Sequence, residues 1–409
     1  MQLAALDIGT QNIKLLAADF RGSGSFKIQK ILNAPSNGVR KGAIYDLDET
    51  VASLNPLLSV LRKEFRSACR NIYVNVNGPQ ISSRISKGII AVSRADSEIY
   101  KDDIDRVIKA SQAVNISPNR KIIHTITREF VVDGIKDIPD PAGLYGSRLE
   151  VESVVVDVFA PYLKNLAKAI EVSGGHVGGF VLGNIASSEA VLTKRQKELG
   201  VALVDIGAQT TGFCVYEENK LLHASILPMG ASHITNDLAV GFKIPVHDAE
   251  NLKLNFGYAI SKQIPPKEII EATFADGSVK NSLSRRFLSE IVESRLAEIF
   301  NFINDELKSI NRNGQLPAGV VLTGGGAKLP GIVNLAKQEL RLSCQIGVPV
   351  GNFEISDQGY NAELEDPEFA CASGLLLLGV GSQDGESLFP MGGVSFTQFI
   401  KSFFSNLLP

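Results

Sequence analysis

ALDIGTQNIK at residues 5–14 and LVDIGAQTTG at residues 203–212 are two versions of one phrase. Each sets Asp-Ile-Gly-x-Gln behind an apolar run and continues into a second β-rich run, at residues 13–17 and 213–216. Two such runs joined by a glycine turn read as a β-hairpin. Asp7 and Asp205 stand roughly 200 residues apart, far beyond the period of a stacked repeat. The echo therefore marks two similar domains in an α/β chain, each opening on a hairpin.

The bulk of the chain agrees with that picture. Its 409 residues suggest roughly two or three core-forming units. A hydrophobic share of 44% and a charged share of 21% are ordinary for a globular protein. The formal net charge of -3 argues against nucleic acid as the main partner, which would need a basic face. Cys69, Cys214, Cys344 and Cys371 lie far apart with no CxxC spacing, so they read as buried free thiols. The N-terminus lacks the basic and apolar segments of a signal peptide. The apolar run at 370–380 is too short to span a bilayer, which takes about 20 residues.

Between the two echoes lies a different kind of material. A strand at 82–92, a helix at 102–113, a strand at 122–132, a Pro- and Gly-rich loop at 133–146 and another strand make an inserted β-α-β-β unit of about 80 residues. A helix at 162–172 returns to the main body. Beyond the second echo, residues 237–256 and 283–307 are helical by periodicity, with Leu283, Phe287, Ile291, Leu296, Ile299, Phe300, Ile303 and Leu307 on one stripe. Residues 265–278 read as loop, and 380–393 as linker.

Three glycine turns carry the chemistry. In the first, Asp7 ends a strand and Gly9, Thr10, Gln11 and Asn12 form the turn. Such a turn presents successive N–H groups to phosphate oxygens. Asp7 can hold Mg2+ through water, and Lys14 adds a cation. Asp205, Gly207, Ala208, Gln209 and Thr210 repeat the arrangement. The third turn, LTGGGAKLPG at 322–331, has a strand before it and a helix behind. Its Gly324, Gly325 and Gly326 would let a flat ring pack on bare backbone.

The order hairpin, hairpin, triple glycine resembles the phosphate-1, phosphate-2 and adenosine motifs of the superfamily of actin, the DnaK chaperones and the sugar kinases. Over nearly the whole chain the sequence resembles the FtsA family of cell-division proteins. That likeness rests on ALDIGT, GNIASSEAVLTKRQKELGVALVDIG (183–207), GASHITNDLAVGFKIPVHDAENLK (230–253), LTGGGAKLPG and VVDGIKDIPDPAGLYGSRLEVE (131–152). It implies an actin-like two-domain ATPase fold with ATP and Mg2+ in the cleft, an FtsA-type inserted subdomain and a C-terminal amphipathic helix. Residues 1–81 and 161–197 would form subdomain IA, and 82–160 the inserted subdomain. Residues 198–228 and 312–379 would form IIA, the latter returning to IA, and 229–311 IIB. A linker at 380–393 and a helix at 394–409 would follow.

By motif position, Gly9, Thr10, Lys14, Gly207 and Thr210 would meet the phosphates, with Asp7 and Asp205 facing Mg2+ through water. Glu250 and Lys253 would stand near ribose and adenine, although their spacing also suits an exposed ion pair along a helix. Gln11, Asn12, Ala208, Gln209, Gly230, the three glycines and Lys328 complete the implied nucleotide set. The partners implied are the FtsZ C-terminal tail, other copies in a filament, later division proteins and an anionic membrane surface, on the cytoplasmic side of the cell membrane at the division site.

One departure bears on activity. The family's second hairpin usually reads DIGGGTTD, whereas here Ala208 and Gln209 replace two glycines and Gly212 stands where an acid is expected. A positive φ at either replaced glycine would strain the turn. Loss of the acid implies slow hydrolysis at most, unless Gln209 gives its amide to a phosphate. The five histidines, His124, His176, His223, His233 and His247, share no nucleophile or metal spacing and read as structural or exposed.

The tail SFTQFIKSFFSNLLP places Phe396, Phe399, Ile400, Phe403, Phe404, Leu407 and Leu408 at helical spacing, with polar residues opposite. An amphipathic helix behind a linker suits an interfacial membrane anchor. The alternative is docking on the protein's own core. Two other readings of the whole are a PilM-like pilus-assembly adaptor and a small-molecule kinase, for which no general base can be nominated.

Overall fold

The computed structural model describes residues 1–21, 25–274, 279–351, 353–355 and 361–381. The anchor read from residues 394–409, and the linker from residue 382 on, lie outside the described residues.

The first echo is a hairpin. Strand β1 (Gln2–Ile8) pairs antiparallel with β2 (Asn12–Phe20), from Gln2↔Asp19 to Ile8↔Ile13. Leu3 to Leu6 and Ile13 to Leu16, Lys14 apart, are apolar and inaccessible, as in a sheet covered on both faces. β3 (Phe26–Pro35) follows, then a short hairpin, β4 (Val39–Arg40) and β5 (Ala43–Ile44). Helix α1 (Leu47–Glu64) is capped by Asp46, whose carboxylate accepts the Glu49 N–H at 3.0 Å. β6 (Ile72–Val76) then lies parallel beside β1.

The insertion is β7 (Ile81–Ala91), α2 (Lys101–Ser111), β8 (Arg120–Val132), β9 (Ile135–Ile138) and β10 (Arg148–Phe159). Its sheet runs β7-β10-β8-β9, and α2 packs on it through Val107 and Ile108. β9 is a correction, since the 133–146 segment had read as loop. Asp133 and Gly134, at φ 47° and 90°, turn β8 back on itself as a two-residue hairpin.

Helix α3 (Ala160–Val172) leads to β11 (Val177–Leu182), which flanks β6, then to α4 (Gly183–Val191) and α5 (Lys194–Leu199). The second echo repeats the first. β12 (Val201–Ile206) and β13 (Thr211–Glu217) form a hairpin, extended by β14 (Lys220–Leu227).

The stretch 237–256 is not one helix. α6 (Ala231–Phe242) and α7 (Val246–Phe256) are separated where Lys243 turns left-handed at φ 53° ahead of Pro245. A small hairpin, β15 (Ile269–Thr273) and β16 (Val279–Ser284), occupies part of the segment read as loop and takes in Leu283. α8 (Arg285–Ser309) buries Leu296, Ile299, Phe300, Ile303 and Leu307 as read, but Phe287 is 43% exposed and off the stripe.

β17 (Val320–Thr323) lies parallel to β12, and α9 (Ile332–Leu340) and β18 (Cys344–Ile346) follow. The second sheet is ordered β14-β13-β12-β17-β18. β19 (Phe353–Ile355) pairs with β3, so the chain re-enters the first domain before α10 (Asn361–Leu364) and α11 (Ala370–Gly381). α11 crosses α4 so closely that a Cβ on Gly374 would lie 1.7 Å from the Ala186 carbonyl oxygen. All four cysteines are free and buried.

Candidate functional site

The β1–β2 and β12–β13 turns face each other. The Gly9 N–H closes the first by donating to the Asn12 carbonyl at 3.1 Å, and the Gly207 N–H closes the second by donating to that of Thr210 at 2.9 Å. Glycine is needed for close approach: a Cβ would sit 2.6 Å and 2.9 Å from those same oxygens. Ala208 and Gln209 both stay out of the left-handed region, so the feared strain is absent. Gly212 has no room for an acid, because its Cβ would lie 2.8 Å from that of Asn184.

A cleft partly open to solvent, of about 690 Å³ with that open space included, lies between the turns. The first turn lines it with Asp7, Gly9, Thr10, Gln11, Asn12 and Lys14. The second supplies Asp205, Gly207, Ala208 and Thr210, and the third Gly324 and Gly325. Sequence reasoning missed Gly42, Asn77, Glu368 and Cys371, which also line it.

Two carboxylates lie at its floor. The Asn75 amide donates to Asp7 Oδ1 at 2.6 Å while its own oxygen accepts the Ile8 N–H at 2.7 Å. The Lys14 ammonium is 3.8 Å from Asp7 Oδ2. Burial nevertheless pushes the Asp7 carboxyl above its usual range, with Lys14 opposing. Asp205 Oδ2 accepts the Ser187 hydroxyl at 2.6 Å. Burial pushes its carboxyl up to about 6, with the charge of Asp7 adding to the effect. Buried Asp7 and half-buried Asp205, served by one lysine, favour a further cation, so Mg2+ fits this donor set.

Six expected site residues stand outside the lining. Gln209 instead accepts the Lys41 N–H at 2.8 Å. Gly230 caps α6 against the second turn, where the Ala231 N–H donates to the Gly207 carbonyl at 2.9 Å. Gly326 packs on Ile206. Lys328 is paired with Asp366 at 2.7 Å and Glu368 at 3.3 Å. Glu250 and Lys253 do form an ion pair, at 2.7 Å, but one in which Lys253 is buried, Glu250 half-buried and Thr235 braces the lysine.

Outside the cleft, His124 accepts the Leu182 N–H at 2.9 Å, and burial pushes its imidazole down to about 4. His223 pairs with Glu306. Both are structural, as read. Among the described residues no group of three or more His, Cys, Asp or Glu is placed to hold a metal, and no helix is long and apolar enough to cross a membrane.

Comparison with known proteins agrees with this architecture. The family described as cell division protein FtsA matches residues 202–374, and the SHS2 domain inserted in FtsA matches residues 78–157. The cell division protein FtsA of Pseudomonas aeruginosa is 31% identical over 97% of this chain and 93% of its own length. That of Bacillus subtilis is 33% identical over 90% of this chain and 83% of its own length. Among solved structures, a PilM-PilN type IV pilus biogenesis complex aligns with TM-score 0.66 and 17% identity, covering 93% of this chain and 99% of the other. MreB5 of Spiroplasma citri bound to ADP aligns with TM-score 0.56 and 12% identity, covering 92% and 95%. The structural likenesses establish an actin-like fold, and the sequence matches establish that the chain belongs to the FtsA family of cell division proteins.

Proposed function

We propose that the cleft binds ATP with Mg2+, and that the chain assembles as a filament on the inner face of the cell membrane and tethers FtsZ there. The observation that carries the nucleotide half is the pairing of two glycine turns around buried Asp7 and Lys14 and half-buried Asp205. Gly9, Thr10, Lys14, Gly207 and Thr210 would hold the phosphates, and Asp7 and Asp205 the hydrated Mg2+. Gly324 and Gly325 would border the nucleoside, with the Glu250–Lys253 pair at the rim. Bound Mg2+ would supply charge neutralisation of the phosphates. Gly212 brings no carboxylate, so hydrolysis is slow at most. Residues 229–311 would take the FtsZ tail, and later division proteins would join the assembly at the division site.

Membership in the FtsA family and the apolar stripe from Phe396 to Leu408 support the membrane half. A pilus-type adaptor is the second reading, favoured by the PilM-PilN likeness. Liposome co-sedimentation of the full chain and of a chain ending at Gly393, with and without Mg-ATP, separates them. The tether reading requires that only the full chain pellets, and more of it with nucleotide. If both chains stay soluble throughout, the tether is wrong and the adaptor reading gains.

A further inference from the structure

The insertion is fastened to the first domain, from which it springs. β10 passes into α3 without a loop. From β8, His124 accepts the Leu182 N–H at 2.9 Å, and Arg120 donates to the Gln80 carbonyl at 2.9 Å. Yet the insertion's sheet also lies against β14, the outer strand of the second sheet. An outer strand usually leaves part of itself in solvent, whereas no residue of β14 is exposed. Leu221 and Ala224 are buried in one apolar cluster with Ile123 and Ile126 of β8 and Val154 and Val156 of β10. We infer that the insertion is a strut footed on both domains, which resists opening of the cleft, and that Lys220 latches its foot on the second domain.

Lys220 begins β14. Its ammonium donates to Asp137 of β9 at 2.7 Å and lies 3.6 Å from Glu129 of β8, both in the insertion. It also lies 3.4 Å from Glu218 in its own domain. Three carboxylates around one ammonium would repel one another without it. Asp137 is open to solvent, so the ion pair is weak alone. The apolar footing carries the load, and the lysine fixes where it sits.

A second footing changes how the domains can move. α4 packs on β12 and β13, close to its crossing with α11. That single contact would leave the second domain free to rotate about it. The foot on β14, set out at the sheet's edge, opposes the rotation, because the insertion cannot follow without pulling away from Leu182. Such coupling is reciprocal: a ligand that closes the cleft seats the strut, and a load on the insertion loosens the ligand. The effect on nucleotide rests on the nucleotide reading above; the strut itself does not.

The test uses the full chain with Lys220→Glu, the milder Lys220→Met, and a swap combining Lys220→Glu with Glu129→Lys and Asp137→Lys. Lys220 sits at the end of β14 away from the second turn, whose Thr211 pairs with Leu227, roughly 20 Å along the strand. The Lys41 N–H, bonded to Gln209 across the cleft, reports opening without nucleotide. Its hydrogen exchange should quicken about fivefold in Lys220→Glu, the worth of one net hydrogen bond, and less in Lys220→Met. The swap should restore it. Release of N-methylanthraniloyl-ATP in Mg2+, chased with unlabelled ATP, should follow the same order. Unchanged exchange at Lys41 in both single variants overturns the strut. A swap that fails to restore the parent's exchange overturns the latch, since Lys220 would then act within β14 alone. Quickened exchange with unchanged release overturns the control of nucleotide. Should the parent bind no labelled nucleotide, the nucleotide reading fails, while Lys41 exchange still decides the strut.

Discussion

Asp205 holds a carboxyl that the fold pushes up to about 6 from an ordinary 3.8, by burial first. The folded state therefore binds more protons than the unfolded chain across that window, and stability falls as pH rises through it. Above about pH 6 the whole penalty is present, of the order of 1–3 kcal/mol. Asp205→Asn removes the penalty and can still accept from Ser187. Its melting temperature without ligand should exceed the parent's by a few degrees at pH 8, with the gain shrinking toward pH 4. The same variant should lose the rise in melting temperature that Mg-ATP gives the parent. Scanning fluorimetry across pH, with and without Mg-ATP, checks both signs; a variant less stable at pH 8 sinks the argument. Gly212→Asp is the complementary case. The missing acid cannot simply be restored, because Asn184 occupies its space, so urea denaturation should show a loss of about 1–3 kcal/mol. Unchanged stability would mean that Asn184 gives way.

At this scale the sequence revealed Asp7, Asp205, Lys14 and the glycines, because hairpin turns are local in the chain. It hid Asn75 and Ser187, which reach the two carboxylates from β6 and α4, and Cys371, which α11 brings to the cleft. Only sheet order and helix crossing bring them near. Asn75 left one trace: a buried polar residue in the otherwise apolar strand IYVNV, where an amide needs a partner.

Among elements, periodicity located α8 but misjudged its face. Phe287 falls in the apolar pattern, yet it stands 43% exposed and meets Phe242 edge-on at 5.4 Å. Leu296, on the same helix, is fully enclosed. Leu296→Ala should cost about 2–5 kcal/mol, and Phe287→Ala about 1 kcal/mol or less, the worth of an aromatic edge contact. Denaturant midpoints of the two variants check the contrast, and comparable losses would mean that the first turn of α8 is a core position after all. The misreading has a physical source: at the start of a helix, neighbours above are missing, so an apolar residue there can face outward. The missed β9 had a clearer sign. Asp-Gly between Val132 and Ile135 is a strong hairpin signal, masked by the prolines that follow. The break between α6 and α7 was equally written, in Pro245, but an apolar pattern that continues through it hid the change of direction.

For the molecule as a whole, the proposed membrane attachment depends on number more than on strength. Seven large apolar side chains from Phe396 to Leu408 could gain roughly 10–20 kcal/mol on full burial. Ordering about 13 residues takes back roughly 1–2 kcal/mol for each, and an interface buries the side chains only in part. Lys401 alone adds about 1 kcal/mol of attraction to anionic lipid. A single chain should therefore come and go, while a filament presenting many tails stays through effective concentration. Binding to phosphatidylglycerol-rich liposomes should then rise steeply with protein concentration when Mg-ATP is present, and only gradually without it. Phe403→Glu sets a charge in the apolar stripe and should abolish pelleting at every concentration while leaving nucleotide affinity unchanged. Loss of both together would mean that the tail packs on the protein's own core. A gradual isotherm with nucleotide present would mean that attachment belongs to the single chain, and the filament would then have no part in holding it there.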